Sequence, residues 1–391
     1  MIPRRKITVD RNDFAQWLKS FRTASENNVP KFEDAFTQYL GCQYAQATAS
    51  GRDALELILD AIDIKPDDEI IIPAYTLGEL LPLIKATLIP ADIEKNTFNI
   101  DPKDIQRKLS SKTRAILATH LFGAPCDIKT ICQMAFEKNI FVIEDCAHAA
   151  GATVDSKKVG TFGHASIFSL EVNKAISTYG GGILVTNDKK IATSAARHIS
   201  RRKQNSSNAL RKAFITWMEE IVIRSPLYAP LSRILFSENI SKQFEQFYRG
   251  THNLVRTDTY AYTDFQARIG LKRLANLDQR NVQHNNHWNQ LARSLSDQFI
   301  PQKRSCSGKP AFYNFVCLYK KDIRRLRKKL AHMGIDAGIF SEVMDDCAAL
   351  LNRTDCPVAA YVYQHAVLLP LYESLSSKEF FYLMDVLTNI S

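Results

Sequence analysis

The sequence predicts an α/β protein: a large domain on a central, mostly parallel sheet, followed by a smaller α+β domain. Three observations carry this. The 391 residues are too many for one small core, so two domains are expected. From about residue 50 to 190, apolar runs of strand length alternate with segments of helical period. Those runs are continuous rather than alternating, the pattern of strands covered by helices on both faces.

The elements follow in order. "SGRDALELILDAI" reads as a helix, with Leu55, Ile58 and Leu59 on one face. "DEIIIPAYT" is a short buried strand running into Pro73. "LGELLPLIKATL" reads as a helix that Pro82 interrupts. "TRAILATHLFG" is a strand that stops at Gly123, and "DIKTICQMAFEKN" is a helix opened by Asp127. "IFVIEDCAHAAG" begins as a buried strand and turns polar; "ASIFSL" and "GGILVTND" are two more strands. After the polar linker "RRKQNSSN", Phe214, Trp217, Met218, Ile221 and Val222 recur at helical spacing until Pro226 and Pro230. "TDFQARIGLKRLANLDQR" starts a long amphipathic helix, "AFYNFVCLY" is a strand, and "KKDIRRLRKKLAHMGI" is a helix closed by Gly334. A loop and the helix "SKEFFYLMDVL" end the chain. The division expected is a large domain over 25–200, a helical insertion over 201–257 and a small domain over 258–391.

Composition narrows the function. No apolar run reaches the roughly 18–20 residues of a membrane helix, and "MIPRRKITVDRNDF" lacks the apolar stretch of a secretory signal. A cytoplasmic location is expected. The eight cysteines form no C-x-x-C pair and no zinc spacing, so reduced, packed thiols and no metal site are expected. The formal charge of +10 suits an anionic ligand, but no nucleic-acid motif and no aromatic-basic stripe accompany it, so no nucleic-acid partner is expected. Two readings of residues 205–257 stand side by side: packing against the body or a partner subunit, or peripheral contact with a membrane or a cap over the acceptor site.

In parallel-rich sheets ligands gather at the carboxyl ends of the strands. Polar residues just past the buried runs are Tyr75, Thr76, His120, Asp145, His148 and Ser169. Lys174 follows "SIFSL" by four residues, so Asp145 and Lys174 share one sheet edge. A helix start after "SG" and the hydroxyl of Ser169 complete the set. Pyridoxal 5'-phosphate (PLP) needs these groups: an amine for its aldehyde, a carboxylate that keeps the ring nitrogen protonated, and helix-start N–H groups for its phosphate.

With these residues the chain resembles the DegT/DnrJ/EryC1/StrS family of PLP-dependent sugar aminotransferases. The pieces run in family order from about residue 30 to the end: "SGRDAL", "IIPAYT", "ADIEKNTFNID", "THLFGAPCDI", "VIEDCAHAAGA", "VGTFGHASIFSLEVNK", "YGGGILVTND" and "PVAAYVYQHAVLLPLYESLSSKE". The resemblance implies the fold type I, aspartate aminotransferase-like architecture. It implies that Lys174 bonds the cofactor and shuttles protons, that Asp145 pairs with the ring nitrogen, and that His148 approaches the ring. It assigns the phosphate to Ser169 and the Gly51–Arg52 loop. It also implies a homodimer with the site at the subunit interface, an amino-acid donor and a keto-sugar acceptor.

Three positions depart from the family pattern. Arg52 replaces a Thr or Ser, and its guanidinium either binds phosphate or merely starts a helix. Leu77 stands where an aromatic commonly covers the ring, unless Tyr75 takes that part. "TYAYTDFQARIG" carries Thr259 and Ala261 where the cross-subunit motif has Asn and Arg. A sugar dehydratase is a second reading, which Lys174 disfavours because such relatives carry His there. A non-catalytic binding or regulatory protein on the same fold is a third.

Overall fold

The central sheet of the computed structural model orders its seven strands β1-β10-β9-β6-β5-β2-β4; the structure describes residues 1–6, 10–20, 27–203, 206–225, 228, 260–304 and 308–390. These strands are β1 (Tyr44–Thr48), β2 (Glu69–Pro73), β4 (Thr87–Ala91), β5 (Thr113–Thr119), β6 (Phe141–Asp145), β9 (Ala165–Ser169) and β10 (Gly182–Thr186), with the short β3 (Tyr75–Thr76), β7 (Thr153–Val154) and β8 (Lys157–Lys158) between them. From β4 through β9 every pairing is parallel; β10 runs antiparallel to both β9 and β1. The parallel segment brings the ends of β5, β6 and β9 to one edge.

Helices cover both faces, as the unbroken apolar strands require. On one side α3 (Gly51–Ala61) and α6 (Lys189–Ser200) pack Leu55, Ile58 and Ile191 on Ile70, Leu117, Ile143 and Ile167. On the other, α2 (Asn28–Leu40), α4 (Pro102–Lys108) and α5 (Ile128–Phe136) pack Phe32, Ile105 and Ile131 on Ile71, Ile116 and Val142. Alternate strand residues therefore serve opposite cores. Burying each such side chain stabilises the fold by about 1.5–3 kcal/mol.

Beyond α1 (Arg11–Lys19) and α7 (Ser207–Arg224), the chain continues into α8 (Asp264–Ala275) and α9 (Leu277–Ser294). The start of this segment still belongs to the large sheet: Tyr262 stacks on Phe32, and Leu274 and Leu277 lie in the α2 and α5 core. The expected single long helix is thus two. They meet at Asn276, whose backbone leaves the helical region and whose amide donates back to the Lys272 carbonyl.

The small domain is an antiparallel sheet in the order β11-β13-β16-β14. Its strands are β11 (Phe299–Pro301), β13 (Phe315–Tyr319), β14 (Gly338–Ile339) and β16 (Ala366–Leu369), with β12 (Gly308–Lys309) and β15 (Asp345–Asp346) pairing back to β7 and β3. Helices α10 (Ile323–His332), α11 (Cys347–Leu350), α12 (Pro357–His365) and α13 (Ser377–Thr388) complete it. Gly334, at φ +75°, follows α10 as expected.

Two local readings need correction. "GELLPL" forms a 3₁₀ turn over Gly78–Leu83 rather than an α-helix, because Pro82 has no N–H to continue it, and the residues after it enter β4. The strand expected over "AFYNFVCLY" begins only at Phe315. Ala311 and Tyr313 donate instead to the carbonyls of Gly123 and Phe122, across to the large domain. Of the insertion, the structure describes α7 and its immediate flanks; residues 204–205, 226–227 and 229–259, including Pro226, Pro230 and Thr259, lie outside the described residues.

Candidate active site

Strand β6 ends in two carboxylates that face opposite sides of the sheet. Asp145 is 6% exposed, and its Oδ1 accepts a hydrogen bond from the Ala147 N–H at 2.9 Å. Its Oδ2 accepts none from any described residue. Burial raises the Asp145 carboxyl above its usual range; the Ala147 N–H and then the charge of Lys174 oppose that rise. The site therefore holds an acid whose ionised form gains from a further cation.

Lys174 lies in the turns that follow β9, its backbone N–H donating to the Glu171 carbonyl at 2.9 Å. Burial lowers its ammonium to about 8, against the pull of Asp145 and Glu171. The ammonium sits 4.8 Å from the centre of the Tyr313 ring, a cation–π contact. Tyr313 in turn stacks on His148 at 4.8 Å, and Phe122 stacks on His148 at 5.7 Å. The Phe122 N–H donates to His148 Nδ1 at 3.3 Å, which leaves the ring proton on Nε2. Burial, then Lys174, hold His148 well below its ordinary pKa, so it is neutral.

The anion end is built by close backbone packing. Ser50 caps α3, its hydroxyl accepting from the Asp53 N–H. Gly51 opens the helix against β9: a Cβ there would lie 3.3 Å from that of Ser169. A Cβ on Gly182 would come within 2.4 Å of the Ser50 carbonyl carbon, so the glycine run after Lys174 is what lets β10 press on the helix start. The result is a helix N-terminus beside the Ser169 hydroxyl. Arg52 reaches Glu79 at 2.6 Å, so its guanidinium enters the site already paired.

Other predicted residues lie elsewhere. Tyr75 is fully buried among Phe98, Phe122 and Val316, so it does not take the place of the missing ring-covering aromatic. Burial pushes its hydroxyl well up. Leu77, 37% exposed, stays open at the start of the 3₁₀ turn. Thr76 and His120 are buried. Ala261 is buried too, its N–H donating to the Lys203 carbonyl.

His120 belongs to the other carboxylate. Its Nδ1 accepts from the Cys126 N–H, so its Nε2 donates to Glu144 at 3.1 Å. Glu144 also accepts from the N–H groups of Gly160, Phe162 and Gly163 at 2.7–2.8 Å. Among the described residues, His120, Glu144 and Cys146 are the one set with metal-ligand atoms in reach of one another. Their hydrogen bonds read as a structural clasp.

Sequence reading missed Tyr313, Glu171 and Lys212. Tyr313 sat inside a presumed strand, and its only signal was a polar "YN" interrupting apolar residues. Glu171 lies three residues before Lys174, and Lys212, on α7, binds both its oxygens at 2.7 and 2.8 Å.

The residues fit PLP on their own chemistry. A buried carboxylate has a spare oxygen, a lysine is held near neutrality, and a glycine-lined helix start stands beside a hydroxyl. These groups can bind an aldehyde, a protonated heterocycle and a phosphate.

The comparisons with known proteins follow this geometry. A model described as the DegT/DnrJ/EryC1/StrS aminotransferase family matches residues 6–388. The chain is 43% identical over 178 residues to GDP-perosamine synthase of Escherichia coli O157:H7, covering 45% of this chain and 48% of that protein. It is 41% identical over 168 residues to dTDP-3-amino-3,6-dideoxy-alpha-D-galactopyranose transaminase of Aneurinibacillus thermoaerophilus, covering 42% and 46%. The matches thus span about half the length of these curated relatives. Among solved structures, the putative sugar aminotransferase Spr1654 from Streptococcus pneumoniae superposes with a TM-score of 0.78 at 17% identity, over 99% of this chain and 98% of that one. Helicobacter pylori PseC, an aminotransferase of pseudoaminic acid biosynthesis, gives 0.77 at 18%, over 99% and 98%. The fold is the type I, aspartate aminotransferase-like one that the sequence predicts. The chain belongs to the DegT/DnrJ/EryC1/StrS aminotransferase family.

Proposed function

We propose that this chain is a PLP-dependent aminotransferase. It moves an amino group from an amino acid, glutamate or glutamine being the expected donor, to a nucleotide-linked keto-sugar used in polysaccharide or secondary-metabolite biosynthesis. The observation that carries this is Lys174, held near neutrality by burial at the same sheet edge as an under-satisfied Asp145. The names of the relatives support the acceptor class.

Bound PLP supplies a reactive aldehyde and an electron-accepting ring. Lys174 would hold the aldehyde end of the cofactor at rest and, as a free amine, would be placed to take a proton from the donor's α-carbon. Its low proton affinity suits both tasks, since only the neutral amine attacks or accepts. Asp145 would keep the proton on the ring nitrogen, and that cation would oppose the burial-driven rise of its own carboxyl. Neutral His148 offers its Nε2–H as a donor beside the ring. Ser169, the N-terminus of α3 and Arg52, which is paired with Glu79, would hold the phosphate.

The test is direct. Purified protein mixed with PLP should turn yellow, and borohydride should fix the cofactor on the peptide holding Lys174. The aminated, colourless cofactor form should then regain its yellow colour with nucleotide-linked keto-sugars and not with simple keto-acids beyond the donor's own. Protein that stays colourless on first mixing with PLP overturns the cofactor reading; return of the yellow colour with non-sugar ketones alone overturns the acceptor.

Assembly is part of this reading. A homodimer with the site at the subunit interface is the family's arrangement, and sedimentation at working concentration tests it. Peripheral membrane contact draws support from the outer face of α7, where Ile215, Met218, Ile221 and Val222 are exposed beside Arg211. Among the described residues no helix is long and apolar enough to cross a membrane. Flotation with anionic vesicles, absent in Met218→Glu, is the expected outcome; no flotation of the unaltered chain removes the membrane from the reading.

A further inference from the structure

We propose that Glu171 and Lys212 form a positioning pair through which the inserted helix α7 keeps a carboxylate off the reactive amine of Lys174. This rests on Lys174 being the reactive amine, as above.

The turn after β9 carries both residues, the Lys174 N–H donating to the Glu171 carbonyl, and the Glu171 carboxylate is near enough to favour the Lys174 ammonium. A carboxylate there, left alone, would draw the ammonium of Lys174 and raise its proton affinity. It is not alone. Lys212 Nζ contacts both Glu171 oxygens, and the Lys212 side chain is only 13% exposed. Burial works to raise the Glu171 carboxyl, but Lys212, then the Val172 N–H and, more weakly, Arg52 outweigh it and hold it ionised.

Lys212 is held in place by its helix. The Trp217 indole donates to the Tyr179 hydroxyl at 2.9 Å, and that hydroxyl donates to Asp13 at 2.8 Å. The Trp17 indole donates to the Leu210 carbonyl at 3.1 Å. Phe214 and Trp217 pack on Trp17 of α1. The α7 helix is therefore docked on the large domain, with Lys212 aimed at the loop that carries Lys174.

The charged and titratable groups around the pair can be named. Asp145 acts on Lys174 from β6, Glu171 acts from its own loop, and the rings of His148 and Tyr313 flank it. Arg52, already bound to Glu79, acts on Glu171 from α3. Arg5 and Arg280 act on Tyr313. Lys212 is the cation that binds Glu171 directly, so its removal frees the carboxylate for Lys174.

The experiment uses the full chain without cofactor. Acetic anhydride, which acylates only the neutral amine, is pulsed over a pH series, and acetylation of Lys174 is read by peptide mass spectrometry. Lys212→Met should move the midpoint up by about half to one unit, so that below the midpoint Lys174 reacts about 3–10-fold less. Lys212→Arg should keep the unaltered midpoint. Glu171→Gln should lower it, and adding Lys212→Met to that background should do nothing more. An unmoved midpoint in Lys212→Met overturns the proposal. So does an equal shift with and without Glu171, which would make Lys212 a docking residue only. Because no cofactor is present, these shifts hold or fail whether or not the protein turns yellow with PLP.

Discussion

Two neighbouring carboxylates on β6 have opposite fates. Glu144 is saturated: three backbone N–H groups and His120 fill its oxygens, and it is wholly buried. Asp145, one residue on and facing the other side, has one N–H and a spare oxygen. The first clasps the loop through Gly160–Gly163 to the sheet. The second keeps unspent capacity for a cation at the strand edge. Identical chemistry at adjacent positions thus divides into a saturated and an under-satisfied carboxylate by how many partners the fold supplies. The same contrast separates the clasped His120 from the neutral, ring-stacked His148.

The largest effect should come from the cation opposite Asp145. Lys174→Ala is expected to lower transamination by on the order of 1,000-fold or more, since both the covalent partner and the proton carrier go. Steady-state rates on a keto-sugar acceptor check it. Should turnover survive, the reactive side of the comparison loses its basis.

The two carboxylates can then be set against each other. Asp145→Asn should cost on the order of 100-fold in rate, because an amide cannot hold the ring proton, while leaving the melting temperature nearly unchanged or higher. Glu144→Gln should do the reverse. Its amide group would face N–H donors, costing about 3 kcal/mol of stability, with activity per folded molecule within a few-fold of normal. Melting curves and rates on the same preparations decide; a rate loss in Glu144→Gln at full stability would erase the distinction.

How far the sequence foretold this differs between backbone and side chains. The alternation of "FVIED" and "SIFSL" with helical segments was enough to place Asp145 and Lys174 at one edge, because buried parallel strands have a strong period and short connections. The saturation of Glu144 was not legible, since its partners are backbone groups sixteen to nineteen residues later. Tyr75 looked available because it follows a strand, yet β3 pairs with β15 from the far end of the chain and seals it in. Tyr313 and Lys212 were hidden for a similar reason. Each reaches the site only through long-range docking that no local pattern encodes.

Proton affinity gives a smaller, signed test. Lys174 has a folded-state value of about 8 against 10.5 for the free side chain. Between those values the unfolded chain binds more protons, so stability from this group rises with pH across the window and is lost as pH falls through it. Lys174→Met should flatten that part of the stability–pH curve in cofactor-free protein, as denaturant titrations at several pH values would show. An unchanged slope would mean the amine is solvated, and the site no drier than the surface.

The finest test concerns the ring under the amine. Tyr313 contributes its face to the Lys174 ammonium and its stack to His148. A cation–π contact favours the charged form, by about 0.5–1 kcal/mol at a partly exposed site. Tyr313→Leu keeps the burial and removes the quadrupole, so the Lys174 midpoint should fall by about half a unit. Tyr313→Phe retains the face and should leave the midpoint in place. The direction is opposite to that expected of Lys212→Met, so one acylation series separates a ring that supports the ammonium from a helix that withholds a carboxylate. If Tyr313→Leu instead raises the midpoint, the ring's main effect is to exclude water. The reactive side of β6 would then owe its low proton affinity to aromatic cover brought from the small domain.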